Sequence, residues 1–330
     1  MDGVRARILP WLSSLGIEPR RIEPLRGDVS ARRYFRLVGC DAVVAMYLPD
    51  SATDVNRFVE ASREFAAAGV RVPEIQAADG DRGLLLLEDL GSESLFDTSD
   101  RDWSLLEAIY RQAIAITLAL GRYRSRVLES LNPPLDARRL ERELQGAYKE
   151  FLAEPEFCGS PDQLEAIRSA LEGVCRGLAS EPMVPAHRDF MSRNLMLAAG
   201  GAELVVIDHQ DVCMAPRFYD AASLLNDSFF PSSSIEGALL DRVLHDDDDW
   251  LAYRRCAVQR TLKACSTFIR FARQGRDRHL PLVAPTLARA AEKLERLPEG
   301  ARLPQVVFER WRDGEQISAG LKRVAKLESL

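Results

Sequence analysis

The sequence predicts an α+β fold with a small β-rich N-terminal lobe and a larger helical C-terminal lobe. Three short runs before residue 90 are rich in Val, Leu, Tyr and Phe and are bounded by Gly, Asp and Pro, which is typical of strands. After the sequence LEDLG the apolar residues recur mainly at helical spacing. Strands followed by helices favour two adjoining lobes. We therefore expect a first lobe at residues 1–90, a hinge at LLLEDLG and a second lobe at residues 91–330.

The predicted strands of the first lobe are the runs RYFRLVG, DAVVAMYLP and GLLLLEDL, and one helix interrupts them. That helix covers TDVNRFVEASREFAAAG, because Thr53 or Asp54 can cap its start and Gly69 can end it. In the second lobe, short apolar strands flank a polar loop within residues 183–207. The remaining apolar periodicity predicts helices at about residues 103–122, 136–152, 161–178, 218–227, 246–273 and 281–296.

Composition excludes several classes of protein. The chain of 330 residues has a formal charge of −6, whereas a nucleic-acid surface usually needs a basic field. Its six cysteines form no C-x-x-C pair, which indicates reduced thiols in a cytoplasmic protein. The longest apolar run, AIAITLAL, is far shorter than the roughly 20 residues that span a bilayer. We expect a cytoplasmic monomer that binds neither nucleic acid nor a membrane.

Asp189, Asn194 and Asp208 follow the pattern expected for phosphoryl transfer from ATP. The loop AHRDFMSRNLML contains His-Arg-Asp and an Asn after four further residues, and VVIDHQD presents another Asp behind an apolar run. In kinases one carboxylate orients the attacking hydroxyl, while an amide and a second carboxylate hold Mg²⁺. The alternative is one Asp that caps a helix and one that is buried for structural reasons. Both motifs in this order favour a kinase with catalytic Asp189 and metal ligands Asn194 and Asp208.

Four segments resemble the aminoglycoside phosphotransferase and choline kinase superfamily, whose fold is protein-kinase-like. They are GDVSARRYFRL, GVRVPEIQAADGDRGLLLLEDLG, HRDFMSRNLML with IDHQDVCMAPRFYDAASLLND, and QRTLKACSTFIRFA. Within the superfamily they are most similar to the bacterial anomeric kinases of N-acetylmuramate and N-acetylglucosamine. The resemblance implies a two-lobed cytoplasmic kinase that uses ATP and Mg²⁺ to phosphorylate the C1 hydroxyl of an amino sugar recovered from the cell wall. It also implies that Asp220 supports the catalytic loop; the alternative is that Asp220 only caps the next helix.

Two features separate this chain from a protein kinase. Only six residues lie between Asp208 and the next Ala-Pro pair, which leaves no room for the long activation segment of those enzymes. In addition, no Lys occurs before Lys149, so the strand DAVVAMYLPD cannot supply the Lys that contacts nucleotide phosphates. Either magnesium and backbone amides carry that role alone, or an Arg substitutes. Among Arg32, Arg33 and Arg36 we favour Arg33; the alternative is that these arginines face solvent.

Further cofactor contacts are predicted from position along the chain. Gly27 and Ser30 lie in a turn that could cradle phosphate, although a turn with one Gly is also an ordinary connection. Glu88 and Leu90 lie in the hinge, where backbone groups could bind adenine.

The acceptor pocket needs polar groups near the catalytic Asp, and seven candidates follow in the sequence: His209, Gln210, Asp211, Asp227, Gln259, Arg260 and Lys263. The last two are three residues apart, so they share a helix face and could hold an anion such as the carboxylate of muramate. The alternative for them is a solvated basic face. We expect His187 and Arg188 to be structural residues of the loop, and the acids of HDDDDW to start a helix.

Two rival functions stay open. The chain could phosphorylate another small acceptor, such as an aminoglycoside, choline or homoserine. It could instead be a non-catalytic nucleotide-binding protein, because the strand Lys is missing. A polycationic aminoglycoside would favour an acidic pocket, whereas an N-acetyl sugar would not need one.

Overall fold

The structure is a computed structural model that describes residues 2–25, 32–40, 43–47, 52–98, 100–198, 203–226 and 229–325. Its strands are β1 (Arg21–Pro24), β2 (Arg33–Val38), β3 (Val43–Tyr47), β4 (Ile75–Asp79), β5 (Leu84–Glu88), β6 (Met183–Ala186), β7 (Leu195–Ala198), β8 (Glu203–Val206) and β9 (Cys213–Pro216). Its helices are α1 (Asp2–Ser14), α2 (Ala52–Ala67), α3 (Trp103–Arg122), α4 (Arg126–Leu131), α5 (Ala137–Ala147), α6 (Pro155–Cys158), α7 (Pro161–Ala179), α8 (Tyr219–Asn226), α9 (Ser233–Leu240), α10 (Asp247–Ala272), α11 (Val283–Glu295), α12 (Gln305–Arg312) and α13 (Gly314–Val324).

The chain forms two compact units, each assembled from separate segments. The first contains Met1–Asp100, Leu118–Leu131 and Ser192–Val212, and the second contains Arg101–Thr117, Asn132–Met191 and Cys213–Leu330. The predicted α+β class is confirmed, since an antiparallel sheet precedes a mainly helical part of the chain. The predicted lobe boundary at residue 90 stays a prediction.

The first unit is built on a five-stranded antiparallel sheet in the order β1-β2-β3-β5-β4. Side chains alternate between its faces, so β3 buries Ala45 on one face and Met46 on the other. Because α1 covers the first face and α2 the second, the four leucines of β5 are all buried. The helix side chains packed in these two cores are Ile8, Trp11, Leu12, Val55 and Phe58.

Of the two helices that cover the sheet, the sequence predicts α2 but not α1. α2 starts at Ala52, so the predicted caps Thr53 and Asp54 lie inside its first turn. It ends at Ala67 and is followed by the predicted Gly69, whose φ of +76° is left-handed and whose N–H donates to the C=O of Ala66. α1 is not among the predicted helices, and it contains Pro10 in its interior. Burial of apolar side chains such as Ile8 and Leu12, at about 1.5–3 kcal/mol each, offsets the roughly 3 kcal/mol that an interior Pro costs.

The hairpin of β7 and β8 belongs to the first unit although it lies late in the sequence. The N–H of Leu197 donates to the C=O of Glu93, and the N–H of Val206 donates to the C=O of Arg71, at 2.9 Å in both cases. These bonds fix the hairpin to the chain that flanks the sheet. Its position therefore depends on the first unit and not on its neighbours in sequence.

α10 is the central helix of the second unit, where it packs against α5, α7, α8 and α11. Asp246 caps its start by accepting from the N–H of Asp249, and three acids occupy its first turn, where the helix dipole stabilises negative charge. The predicted helix start at HDDDDW is therefore confirmed. Farther along, α10 buries the polar Gln259 and Arg260, which brings charged chemistry into the core of this unit.

Two further findings concern the described part of the chain. No helix in it is both long and apolar enough to cross a bilayer. The six cysteines, all of which are described, are not joined in disulfides.

Candidate active site

The loop that carries Asp189 starts where β6 ends, and Asp220 holds its backbone in the second unit. The carboxylate of Asp220, at the start of α8, accepts the N–H groups of His187 at 2.6 Å and Arg188 at 2.9 Å. Asp220 is only 5% exposed, and burial raises its pKa to about 6. Arg188 has a φ of +78°, so the loop turns sharply before Asp189. This is the supporting role that the resemblance implies for Asp220.

The two residues that precede Asp189 are packed into the loop. His187 is fully buried and its ring meets that of Phe190 edge to face. The guanidinium of Arg188 lies 3.3 Å from the carboxylate of Glu143 on α5. Both observations agree with the structural roles expected for His187 and Arg188.

Asp189 lies against two cations of α10. Its Oδ1 accepts from Nη1 of Arg260 at 2.7 Å, and Nζ of Lys263 is 3.8 Å from the same oxygen. Lys263 also lies 3.4 Å from Glu143. The side chain of Arg260 is 4% exposed, compared with 29% for that of Asp189, so the carboxylate is the accessible member of the pair.

The charge state of Asp189 follows from this geometry. Burial by itself raises the pKa of the Asp189 carboxyl. The charges of Lys263, Arg260 and Arg188 lower it by more, so its pKa lies well below its usual range. Asp189 is therefore ionised at any physiological pH and can accept a hydrogen bond from a hydroxyl.

Asn194 and Asp208 lie together at one end of the β7–β8 hairpin in the first unit. The N–H of Ile207 donates to the C=O of Asn194 at 3.0 Å, so Asp208 follows directly after the last bond of the hairpin. Asp208 has a left-handed φ of +60°, and its side chain is 44% exposed. In the described residues no group of three His, Cys, Asp or Glu could hold a metal ion. One amide and one accessible carboxylate suit Mg²⁺, which prefers oxygen ligands and takes its other oxygens from phosphates and water.

Asp208 has two polar partners in the first unit, Arg32 and Gln210, and it shares both of them with Asp211. Nη1 of Arg32 donates to its Oδ1 at 2.9 Å, and Nε2 of Gln210 donates to the same oxygen at 3.0 Å. Gln210 also donates to Asp211 at 3.2 Å, and Arg32 lies 3.7 Å from Asp211. Asp211, predicted as an acceptor ligand, is thus a neighbour of the metal candidate Asp208.

His209 anchors the Asp208 turn to α2. Its ring is fully buried between Phe58 and Phe65, with ring centroids 4.7 and 5.2 Å away. Its Nε2 lies 2.7 Å from Oγ of Ser62, whose own hydroxyl donates to the C=O of Phe58. Because a hydroxyl has one proton to give, we infer that the Nε2–H of His209 donates to Ser62.

The remaining predicted cofactor residues are only partly described. Gly27 and Ser30 lie outside the described residues. Arg33 is exposed at the start of β2. Both carboxylate oxygens of Glu88 accept from Arg71 at 2.6 Å, and Leu90 is half-buried. The side chain of Glu88 is thus engaged in an ion pair and its N–H donates to the C=O of Glu74 at 2.9 Å, which leaves its C=O as the group that could serve a nucleotide base.

The structure sorts the predicted residues into two groups. Asn194, Asp208 and Asp211 lie in the first unit, whereas Asp189, Arg260 and Lys263 lie in the second. Asp227 directly follows α8 but is outside the described residues. Sequence reasoning missed Glu143, whose only signal was its place beside Leu140 and Leu144 on the buried side of α5.

A sequence model of the phosphotransferase enzyme family matches residues 21–256. The N-acetylmuramate/N-acetylglucosamine kinase of Pseudomonas aeruginosa is 30% identical over 316 residues, which cover 86% of this chain and 91% of that protein. The kinase of the same name from Pseudomonas putida is 30% identical over 298 residues, with 86% of each chain covered.

Solved structures with the same fold are far more distant in sequence. A choline/ethanolamine kinase family protein from Mesorhizobium loti has a TM-score of 0.61 at 16% identity and covers 95% of this chain and 99% of its own. An ADP-bound aminoglycoside phosphotransferase has a TM-score of 0.60 at 14% identity, covering 92% of this chain and 99% of its own. These similarities confirm the expected protein-kinase-like fold.

Proposed function

Because the chain belongs to the phosphotransferase enzyme family, we propose that it transfers the γ-phosphoryl group of ATP to the C1 hydroxyl of N-acetylmuramate or N-acetylglucosamine. The observation that carries this proposal is the match to kinases of these two sugars over 86% of the chain. The proposal extends to a role in cell-wall recycling, carried out in the cytoplasm by a monomer.

Asp189 would act on the acceptor. A carboxylate held ionised by Arg260 is a good hydrogen-bond acceptor, but its low pKa makes it a weak base. Asp189 therefore orients the C1 hydroxyl and takes its proton only as the bond to phosphorus forms. Positioning of this kind is the main contribution a protein makes to phosphoryl transfer.

Asn194 and Asp208 would hold Mg²⁺. They flank opposite strands at the same end of the hairpin, which provides an amide and a half-exposed carboxylate there. A bound Mg²⁺ would neutralise charge on the nucleotide phosphates.

The charges around Asp189 favour a sugar over an aminoglycoside. Glu143 contacts Lys263, Arg188 and Gln259, Asp189 contacts Arg260, and Asp220 accepts two backbone N–H groups. Each of these three carboxylates therefore already has a partner. A polycationic acceptor would have to displace those partners, whereas an uncharged or anionic sugar would not.

The test is a panel of acceptors offered to the purified full chain with ATP and Mg²⁺. We expect ATP consumption with N-acetylmuramate and N-acetylglucosamine, and ³¹P and ¹³C NMR should place the new phosphate on C1. Kanamycin, choline and homoserine should give no turnover above the rate without acceptor.

The control variant is Asp189→Asn, which removes the charge but keeps the shape of the side chain. It should bind Mg·ATP and lose turnover. Turnover with kanamycin or choline and not with the sugars would refute the acceptor assignment. Nucleotide binding without turnover on any acceptor would favour the non-catalytic alternative.

A further inference from the structure

A cation for the nucleotide phosphates is missing from the strand that supplies it in kinases. No Lys occurs before Lys149, and the corresponding strand β3 has Ala45 and Met46 at the candidate positions. Both are fully buried, Ala45 on the α1 face of the sheet and Met46 on the α2 face. A cation that reaches the phosphates must therefore come from another part of the chain.

Arg32, directly before β2, is the arginine that reaches the metal candidate. Its Nη1 is 2.9 Å from Oδ1 of Asp208, and its Nη2 is 3.7 Å from Asp211. Arg32 is 20% exposed and also donates a hydrogen bond to the hydroxyl of Tyr34. Its guanidinium is thus held in place from two sides.

The two other candidate arginines are placed differently. Arg33 is exposed. Arg36 makes two bonds to Asp89, at 2.5 and 2.8 Å, and a third to the C=O of Gly91 at 2.7 Å. Of these three described arginines, Arg32 is the one that contacts the carboxylate proposed to hold Mg²⁺.

We propose that Arg32 binds the phosphates of the nucleotide and replaces the strand Lys of other kinases. A divalent ion on Asp208 would bring phosphate oxygens next to that carboxylate, and the guanidinium of Arg32 already contacts it. The planar fork of Arg can bond a carboxylate and a phosphate at once, which a Lys ammonium does less specifically. This inference rests on the proposed use of Mg·ATP but not on the identity of the acceptor.

The experiment compares nucleotide binding in single variants by calorimetry. Arg32→Ala should weaken Mg·ATP binding by about 10- to 100-fold, the range expected for a lost charged hydrogen bond. Arg32→Lys keeps the charge without the fork and should fall between Arg32→Ala and the wild type. Arg21→Ala, which removes an exposed arginine of the same sheet, is the control and should bind as the wild type does.

Two further measurements distinguish a contact between Arg32 and phosphate from other roles of Arg32 in nucleotide binding. Adenosine has no phosphate, so its affinity should be the same for Arg32→Ala and the wild type. Arg33→Ala tests the assignment favoured by the sequence and should change Mg·ATP affinity by less than about twofold.

Several outcomes would overturn the proposal: wild-type Mg·ATP affinity in Arg32→Ala, a larger loss in Arg33→Ala, or an equal loss for adenosine. If Arg32→Ala fails to fold, Arg32→Lys decides, because wild-type Mg·ATP affinity in that variant, or a loss that is equally large for adenosine, also contradicts a phosphate contact. A wild-type protein that binds Mg·ATP but phosphorylates no sugar would refute the acceptor and leave this test in force.

Discussion

At the scale of single residues, the charge on Asp189 is decided by its neighbours and not by its burial. The Arg260 contact at 2.7 Å and the nearby Lys263 outweigh the cost of removing the carboxylate from water. The two cations predicted as an anion site for the acceptor therefore lie against the catalytic candidate and Glu143. We infer that Arg260 positions Asp189; whether either cation also binds substrate stays a prediction.

Replacement of Arg260 by Met tests this inference. Burial raises the pKa of Asp189 and the Arg260 guanidinium lowers it, so loss of the guanidinium should raise this pKa toward or above its usual value. A folded-state pKa that is depressed adds stability which is lost as pH falls through it, so the variant should lose this stability at a higher pH. ¹³C NMR titration of the aspartate carboxyls, with Asp189→Asn for assignment, measures the pKa directly.

The same variant should lower kcat by about 10- to 100-fold with a smaller change in KM for ATP, because Arg260 acts through Asp189. Lys263→Met is the matched comparison, and its effect should be smaller, since Nζ lies 3.8 Å from Asp189. An unchanged Asp189 titration in Arg260→Met would contradict the positioning role.

At the scale of elements, α2 and the turn after β8 act as one piece. The buried His209 fits between two phenylalanines of α2 and donates to Ser62, directly after the metal candidate. The left-handed φ of Asp208 is thus stabilised by packing on its C-terminal side. A substitution in α2 that disturbs this packing should therefore alter the conformation of the Asp208 turn.

Ser62→Ala should destabilise the protein by about 1–3 kcal/mol, because it leaves the buried N–H of His209 without its acceptor. Urea unfolding measures this loss. His209→Phe keeps a ring between Phe58 and Phe65 but has no N–H, so Ser62→Ala should cost much less in that background. Equal costs in both backgrounds would show that the Ser62–His209 bond contributes nothing.

At the scale of the whole molecule, cysteine burial provides a test of the fold. Cys40 is half-buried and the other five cysteines are buried. Burial raises the pKa of Cys175 to about 12 and that of Cys213 to about 11, and the thiolate is the reactive form. A thiol reagent should therefore modify one cysteine quickly in the native protein and six in denaturant.

Cys40→Ser should abolish the fast reaction and leave the slow one unchanged. Several thiols reacting at the rate of Cys40 would mean that the helical core is more open than described. Because the reaction rate of a thiol depends on its burial and not on enzyme activity, this test does not depend on which acceptor the protein phosphorylates.

Local sequence signals predicted the parts of the molecule that depend on local physics. The stop at Gly69 and the helix start at HDDDDW each follow from a few adjacent residues, whereas the roles of Asp189, Asn194 and Asp208 stay a prediction. The sequence could not show that Arg32 contacts Asp208 while Arg33 is exposed, because the pairing of β2 decides which of two adjacent side chains faces solvent. The sequence analysis missed Glu143 because its partners, Arg188 in the loop before Asp189 and Lys263 on α10, lie far along the chain.

The short connection after Asp208 has a further consequence. From His209 to Asp211 the chain forms one turn, and at Cys213 it enters β9, which pairs with β6. This stretch of the described chain is a turn followed by a strand and is too short for the activation segment of a protein kinase. We expect the rate of this step to follow the concentrations of its two substrates, as in a salvage route governed by supply.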